Sequence, residues 1–406
     1  MKKVFNSIIA KKNSICLCFF AFFLVLIMLE NSTLGVNETL SRIIYFGKFL
    51  VFGIFFLDIL YDVITKKIKI NFVLIFLSII AVETLIFSRK PHMLILMLLM
   101  VEASKYKFST VVKTALITFI ACFGFIIFLS IVGIIPNAKN YRMDGTLRYS
   151  LGFSYVTIAQ TVYFFIILFR TYLKGKDVSY VELLCHAIVV SVVYYLTDSK
   201  CDFFLSIFAL IVILFAKLFG EGKPPRLLYS KSFKIGVTAI PILVFFVSEL
   251  ALILYSFDLP IMNKIDALLS GRLYLTLTAW NEYGFSFFGT THTYAPITYV
   301  DWVIVQDSSY LFLDNSIFSS LLLYGFVNLI TILIGYTFLL KENLEQKNYW
   351  FVFCLVLILL QSLIEPYLIA YNYNVFVLSL GYLLNIRNHE PLEIFIKKTK
   401  FKTKRK

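Results

Sequence analysis

The sequence predicts an all-α, polytopic membrane protein with about twelve transmembrane helices. Three observations lead there. The chain of 406 residues is 60% hydrophobic and 15% charged, whereas a soluble protein of this length needs roughly a quarter of its residues charged. Its apolar residues fall in continuous runs separated by short polar punctuation, with no period-two alternation. Lipid offers no partner to backbone N–H and C=O groups, so continuous runs of this length become helices rather than barrel strands.

In chain order the expected spans are residues 14–30, 43–64, 70–88, 91–104, 111–135, 151–172, 179–197, 202–219, 234–257, 316–340, 349–371 and 373–386. The first follows Lys2, Lys3, Lys11 and Lys12 as a signal sequence would. No small-x-small cleavage site follows it, so it reads as a retained helix. The fourth and twelfth are short for a hydrocarbon core about 30 Å thick. No internal repeat of the inverted-repeat transporter kind is evident. Residues 1–406 therefore read as one integral membrane domain, with a long loop at 258–315 and a basic tail at 387–406.

The formal net charge of +14 does not point to nucleic acid, because of where the charges sit. With the N-terminus inside, the inner segments hold 28 of the 38 Lys and Arg residues and the outer segments hold 10. That bias places both termini in the cytoplasm and makes the tail Lys397–Lys406 an anchor for an anionic leaflet. The six cysteines show neither metal-ligand spacing nor a paired extracellular pattern, so no metal site and no disulfide framework is expected.

Three outward segments carry the chemistry: Pro136–Ser150, the turn Thr197–Asp202, and the long loop. The first holds Lys139, Arg142 and Arg148 on the side where positive charge is disfavoured. The long loop adds Arg272. Guanidinium forks hold phosphate oxygens bidentately and stay charged at any physiological pH, so three outward arginines suit an anion such as a lipid-linked pyrophosphate. They also suit lipid head groups, or Asp144 in the case of Arg142 or Arg148. Glu83, Glu249 and Glu365 interrupt apolar helices in their outward thirds, where a carboxylate must be protonated, paired or wet. Asp58, Asp62 and Glu102 fall toward the inner helix ends and read as snorkelling side chains. Within the long loop, Ile261–Leu269 reads as an amphipathic segment on the membrane and Arg272–Trp280 as a short helix. Its many aromatic residues suit sugar faces and the interfacial aromatic belt alike. His292 is the one histidine expected on the outer face and is a candidate general base.

The run Arg148-Tyr149-Ser150-Leu151-Gly152-Phe153, then Thr197-Asp198-Ser199-Lys200, Ser270-Gly271-Arg272, and Asp314-Asn315-Ser316 followed by Tyr324-Gly325, resembles the Wzy-type polysaccharide polymerases. These stand with the O-antigen polymerases and ligases. The resemblance runs in order from about Arg142 to Leu384. It departs at Lys200, where the family often has arginine, and at Ser154-Tyr155-Val156, where His-Pro-Asn is frequent. The resemblance implies a GT-C-like fold and a metal-independent glycosyltransferase, without cofactor, on the outer face of a bacterial cytoplasmic membrane. The reaction implied is transfer of a growing glycan from undecaprenyl pyrophosphate to one lipid-linked repeat unit. Arg142, Arg148, Arg272, Lys200 and Glu365 would bind pyrophosphate and glycan. His292, Glu282 and Asp314 are candidates for orienting or deprotonating the acceptor hydroxyl. Partners implied are lipid-linked repeat units and membrane lipid, with a chain-length regulator and a flippase as further candidates and no nucleic acid. A ligase moving finished glycan, or a flippase for the same repeats, is the alternative.

Overall fold

A computed structural model describes residues 2–142, 145–219, 230–292, 298–305 and 311–386. The basic tail 387–406 and Asp144 lie outside the described residues. The chain is mostly helical. Its first half comprises α1 (Lys2–Glu30), α2 (Glu38–Ile64), α3 (Phe72–Ser88), α4 (His92–Ala103), α5 (Phe108–Ile131), α6 (Ile158–Lys174), α7 (Tyr180–Thr197) and α8 (Lys200–Phe219). The second comprises α9 (Lys231–Ser256), α10 (Pro260–Leu268), α11 (Arg272–Tyr283), α12 (Ser316–Tyr324), α13 (Phe326–Glu345), α14 (Tyr349–Gln361) and α15 (Leu380–Leu383). Six of these, α2, α5, α7, α8, α9 and α13, are long and apolar enough to cross a membrane. Their outer sides expose Phe and Ile side chains such as Phe46, Phe125, Ile188, Phe215 and Phe246. That is the pattern of helices solvated by lipid on one side.

The bundle is built round α6, which packs against α5, α7, α8 and α14. Nearly every α6 side chain is buried, so an apolar sequence all round it has a core role. Phe164, Phe165 and Phe169 fill the centre with Phe351 of α14 and with Phe376. The chain then departs from unbroken spans. After α14, about 20 Å long at 1.5 Å per residue, residues 362–374 run without helix before a 3₁₀ turn at Val375–Ser379 leads into α15. Irregular backbone is tolerated inside a membrane protein only where protein or water satisfies it. Here protein does: Tyr336 donates its hydroxyl to the Leu368 carbonyl (2.9 Å), and Asn374 donates its amide to the same oxygen (2.7 Å).

The span expected at 316–340 is also broken. Gly325, at φ +86 and ψ 168, ends α12 and starts α13 in a region open only to glycine. Loop residues 286–290 satisfy the backbone groups freed by the break. Phe326 and Val327 donate to the carbonyls of Ser286 and Phe287, and Thr290 donates to Leu322. A Cβ on Gly325 would lie 2.3 Å from the Phe287 carbonyl oxygen. Gly325→Ala is therefore expected to destabilise the fold by about 1–3 kcal/mol from backbone strain alone, with the clash adding to it. The measurement is the melting temperature of detergent-purified protein; an unchanged value would contradict this role for the break.

A small sheet caps one end of the bundle. β1 (Lys139–Tyr141) pairs antiparallel with β2 (Leu147–Tyr149), and β3 (Thr298–Val300) pairs antiparallel with β4 (Val303–Val305). β1 and β4 join in parallel at Lys139 and Val303, giving the order β2-β1-β4-β3. The outward segment Pro136–Ser150 and the long loop are thus hydrogen-bonded into one unit. Asp301 and Trp302, both at positive φ, make the two-residue turn between β3 and β4.

Candidate active site

The site forms where five stretches distant in sequence meet beneath the sheet. The hairpin β1–β2 leans on the end of α7. There Asp198 takes a left-handed conformation and closes the helix with its N–H on the Tyr194 carbonyl (2.7 Å). Arg148 donates Nε–H to the Thr197 carbonyl at 2.7 Å. Arg142 holds Asp198 twice, through Nε to Oδ2 (2.8 Å) and through Nη2 to the backbone carbonyl (2.9 Å). Among the described residues Asp198 is the carboxylate partner of Arg142; the expected pairing with Asp144 lies outside them. Arg148 makes no ion pair among the described residues. Burial works against its charge, offset in part by Tyr155 and opposed by Arg142.

Arg272 is the first residue of α11 and reaches the opposite wall. Its Nε lies 3.0 Å from Asp314 Oδ2 and its Nη2 lies 3.0 Å from Glu365 Oε1, while Nη1 donates to the Ile364 carbonyl. Asn315 and Ser316 position these acids. Asn315 caps α12 by accepting the Ile317 N–H (2.8 Å) and donates to the Leu363 carbonyl (2.9 Å). Ser316 donates to the Glu365 carbonyl and accepts the Leu368 N–H (3.1 Å). The irregular segment after α14 is therefore stitched to the start of α12. Exposure separates the three charged groups. Arg272 and Asp314 keep 23% and 21% of their side-chain surface, while Glu365 keeps 4%. Arg272 and Asp314 are thus part-exposed, while Glu365 is buried against the same guanidinium.

Burial, helped by Glu365 and opposed by Arg272, leaves the Asp314 carboxyl pushed up to about 7. Burial also opposes the charge on Arg272, but Glu365 and Asp314 outweigh it and hold its pKa above the usual value. Tyr155 links the two walls, lying within electrostatic reach of Asp314, Arg148, Arg272 and Glu365. The residue thus stands in the stretch where the His-Pro-Asn of the resembled family is missing.

Next to Glu365 lies a buried polar layer that hydropathy alone does not reveal. Asp202, fully buried on α8, accepts Thr161 Oγ1–H (2.5 Å) and Gln361 Nε2–H (2.6 Å). Glu365 donates its N–H to the Gln361 carbonyl (2.8 Å), so Gln361 ties the two acids together. No cation lies within 4.0 Å of Asp202 among the described residues. Lys200, the expected basic residue of this turn, opens α8 at the exposed surface instead.

The remaining candidates fall apart from this cluster. His292 packs against Tyr283 with the rings tilted by 53° (centroids 4.4 Å apart), and its carbonyl accepts Lys90 Nζ–H. Burial and the Lys90 charge push its imidazole pKa down, while nearby Glu282, exposed on α11, raises it. His292 and Glu282 form their own group: the charges acting on His292 are Lys90 and Glu282, whereas those acting on Asp314 are Arg272 and Glu365. Glu83 and Glu249 are half-buried and pair with none of the site arginines among the described residues.

One expectation is corrected at the opposite end. Asp58, Asp62 and Glu102 do not snorkel to solvent. All three are buried round Lys105, which contacts Asp58, lies 3.3 Å from Asp62 and lies 2.5 Å from Glu102. Lys105 follows α4 and turns back between α2 and α4, which pack side by side. Position along a helix was readable from the sequence; the face was not. Cys16 joins Asp58 and Glu102 within 4.8 Å, so these three side chains fit a small cation only by displacing the ammonium already there.

No family model matches the chain, and neither a curated protein nor a solved structure matches it.

Proposed function

We propose that the chain is a multi-pass membrane glycosyltransferase that joins lipid-linked oligosaccharide repeat units into a surface polysaccharide. The observation that carries this reading is the Arg272–Asp314–Glu365 cluster, with Arg148 and Tyr155 beside it, at the sheet-capped end. Under the Lys and Arg distribution that end faces outward, both termini are cytoplasmic, and the apolar runs amount to about twelve passes in a GT-C-like arrangement. The membrane is then the cytoplasmic membrane of a bacterium.

The residues divide the work as follows. Arg148 has no carboxylate partner among the described residues, and in this reading its guanidinium meets the donor's pyrophosphate. Arg142 is held by Asp198 and supports the hairpin that carries Arg148. The acceptor hydroxyl oxygen attacks the anomeric carbon of the donor glycan, and the bond to pyrophosphate breaks with its electron pair on the leaving oxygen. Asp314 takes the hydroxyl proton. A carboxyl poised near neutral pH suits a general base, and Arg272 keeps it oriented. Charge developing on pyrophosphate is stabilised by Arg148, the kind of fixed donor whose loss costs about 10²–10³-fold in rate.

The flippase reading requires a polar path through the bundle. Between the ends, the described core is instead packed with Phe164, Phe165, Phe169, Phe351 and Phe376, which favours the enzyme. Ligase and polymerase share this site chemistry and differ in acceptor. The test is purified protein in nanodiscs with lipid-linked repeat from the host as sole substrate. A ladder of multiples of one repeat is expected. Turnover only when a separate acceptor is added would replace polymerase with ligase, and no transfer under either condition would end the reading.

A further inference from the structure

α10 has two unlike faces. Met262 and Asp266 are buried against the protein. Ile261, Ile265 and Leu268 are 65%, 38% and 83% exposed, and their spacing of four and three aligns them in one stripe. α10 packs on α9 and α11. The preceding helix α9 exposes Leu250 and Ile253 near its end, with exposed Phe257 just past it, and α9 is apolar and long enough to span a membrane. An apolar stripe on a short helix that directly follows a spanning helix and packs on it has the bilayer as its occupant.

The buried face is wired to the site. Asp266 Oδ1 accepts the N–H of Leu273 at 2.7 Å and that of Tyr274 at 3.4 Å. Its Oδ2 accepts the Tyr255 hydroxyl at 3.2 Å, and its carbonyl accepts the Gly271 N–H at 2.9 Å. Those amides belong to the first turn of α11, which lacks partners inside the helix. Gly271 stands at the cap position and has no side chain to serve them. Asp266 therefore does the capping from α10. Ser270 and Gly271, both at positive φ, turn the chain sharply between the two helices, and Arg272 is the next residue.

We propose that α10 is an interfacial helix seated in the leaflet on the sheet side, and that Asp266 passes this seat to Arg272. Lipid contact by Ile261, Ile265 and Leu268 fixes where the guanidinium stands between Asp314 and Glu365. Asp266 is a positioning residue. Only the turnover part of the test rests on the functional reading above.

The experiment uses the full chain in phosphatidylethanolamine–phosphatidylglycerol nanodiscs, with and without brominated acyl chains. The emission that Leu268→Trp adds to the three native tryptophans is expected to fall by about half or more with bromine. Emission indifferent to bromine overturns the lipid seat. Asp266→Asn, and separately Ile265→Glu with Leu268→Glu, are expected to speed amide exchange at Leu273 and Tyr274 about tenfold. Unchanged exchange in the paired glutamate variant overturns the coupling. With host lipid-linked repeat, Asp266→Asn lowers kcat about tenfold and leaves KM within about twofold, and Asp266→Glu recovers part of the loss. A change confined to KM overturns the positioning role. Should Arg272→Ala leave transfer intact, the functional reading fails while bromine quenching and exchange still decide this proposal.

Discussion

Arg272→Ala is expected to abolish long polymer and leave single repeats, a loss of about 10²–10³-fold in transfer. The substitution also strips Glu365 of its cation, and a buried carboxylate left without its partner costs about 3–5 kcal/mol. Lower abundance in the membrane would then be expected for a reason separate from chemistry. The double variant Arg272→Ala/Glu365→Gln separates the two effects, because a neutral amide at position 365 needs no cation. Abundance is expected to return in the double variant, while polymer does not. Immunoblotting of membranes beside surface-glycan gels reads both. Full-length polymer in either variant would remove Arg272 from the mechanism.

Asp314→Asn is expected to lower transfer by about 10²–10⁴-fold, the usual contribution of a positioned base, with little change in abundance because the amide keeps the shape. The pH profile gives the sharper test. Burial pushes the Asp314 carboxyl up to about 7, and the base is its ionised form. Transfer should rise about tenfold per pH unit below 7 and level off above it. Asp314→Asn should show no such limb. Stability runs the opposite way. A carboxyl raised on folding is easier to bury protonated, so wild type loses stability relative to Asp314→Asn as pH climbs from the ordinary carboxylate range to about 7, and no further beyond. A pH-independent difference between the two proteins would mean that Asp314 is not the titrating group.

The sequence made the helices legible because apolar runs are long and lipid leaves the backbone few options. Loop-by-loop charge made Arg148, Arg272 and Glu365 candidates by putting them on one side, and the resemblance added Asp314. The structure gathers these four from four separate stretches, while His292, Glu282 and Lys200 stand apart. Asp202 was hidden for a physical reason. In a helix apolar on every face, one acid near the end looks like a snorkelling terminus, and only packing against Thr161 and Gln361 shows that it points inward. Asp58 and Asp62 failed for the same cause. The sheet was illegible because three-residue strands in polar loops carry no period. The break at Gly325 left only a glycine in an apolar run, which signals a close approach just as weakly as it signals nothing.

The most direct measurement is deletion of the gene in its native host, followed by sizing of surface glycan and complementation with wild type and Asp314→Asn. The account predicts loss of long chains, accumulation of single-repeat material, and restoration by wild type but not by Asp314→Asn. An unchanged chain-length distribution in the deletion strain would contradict it.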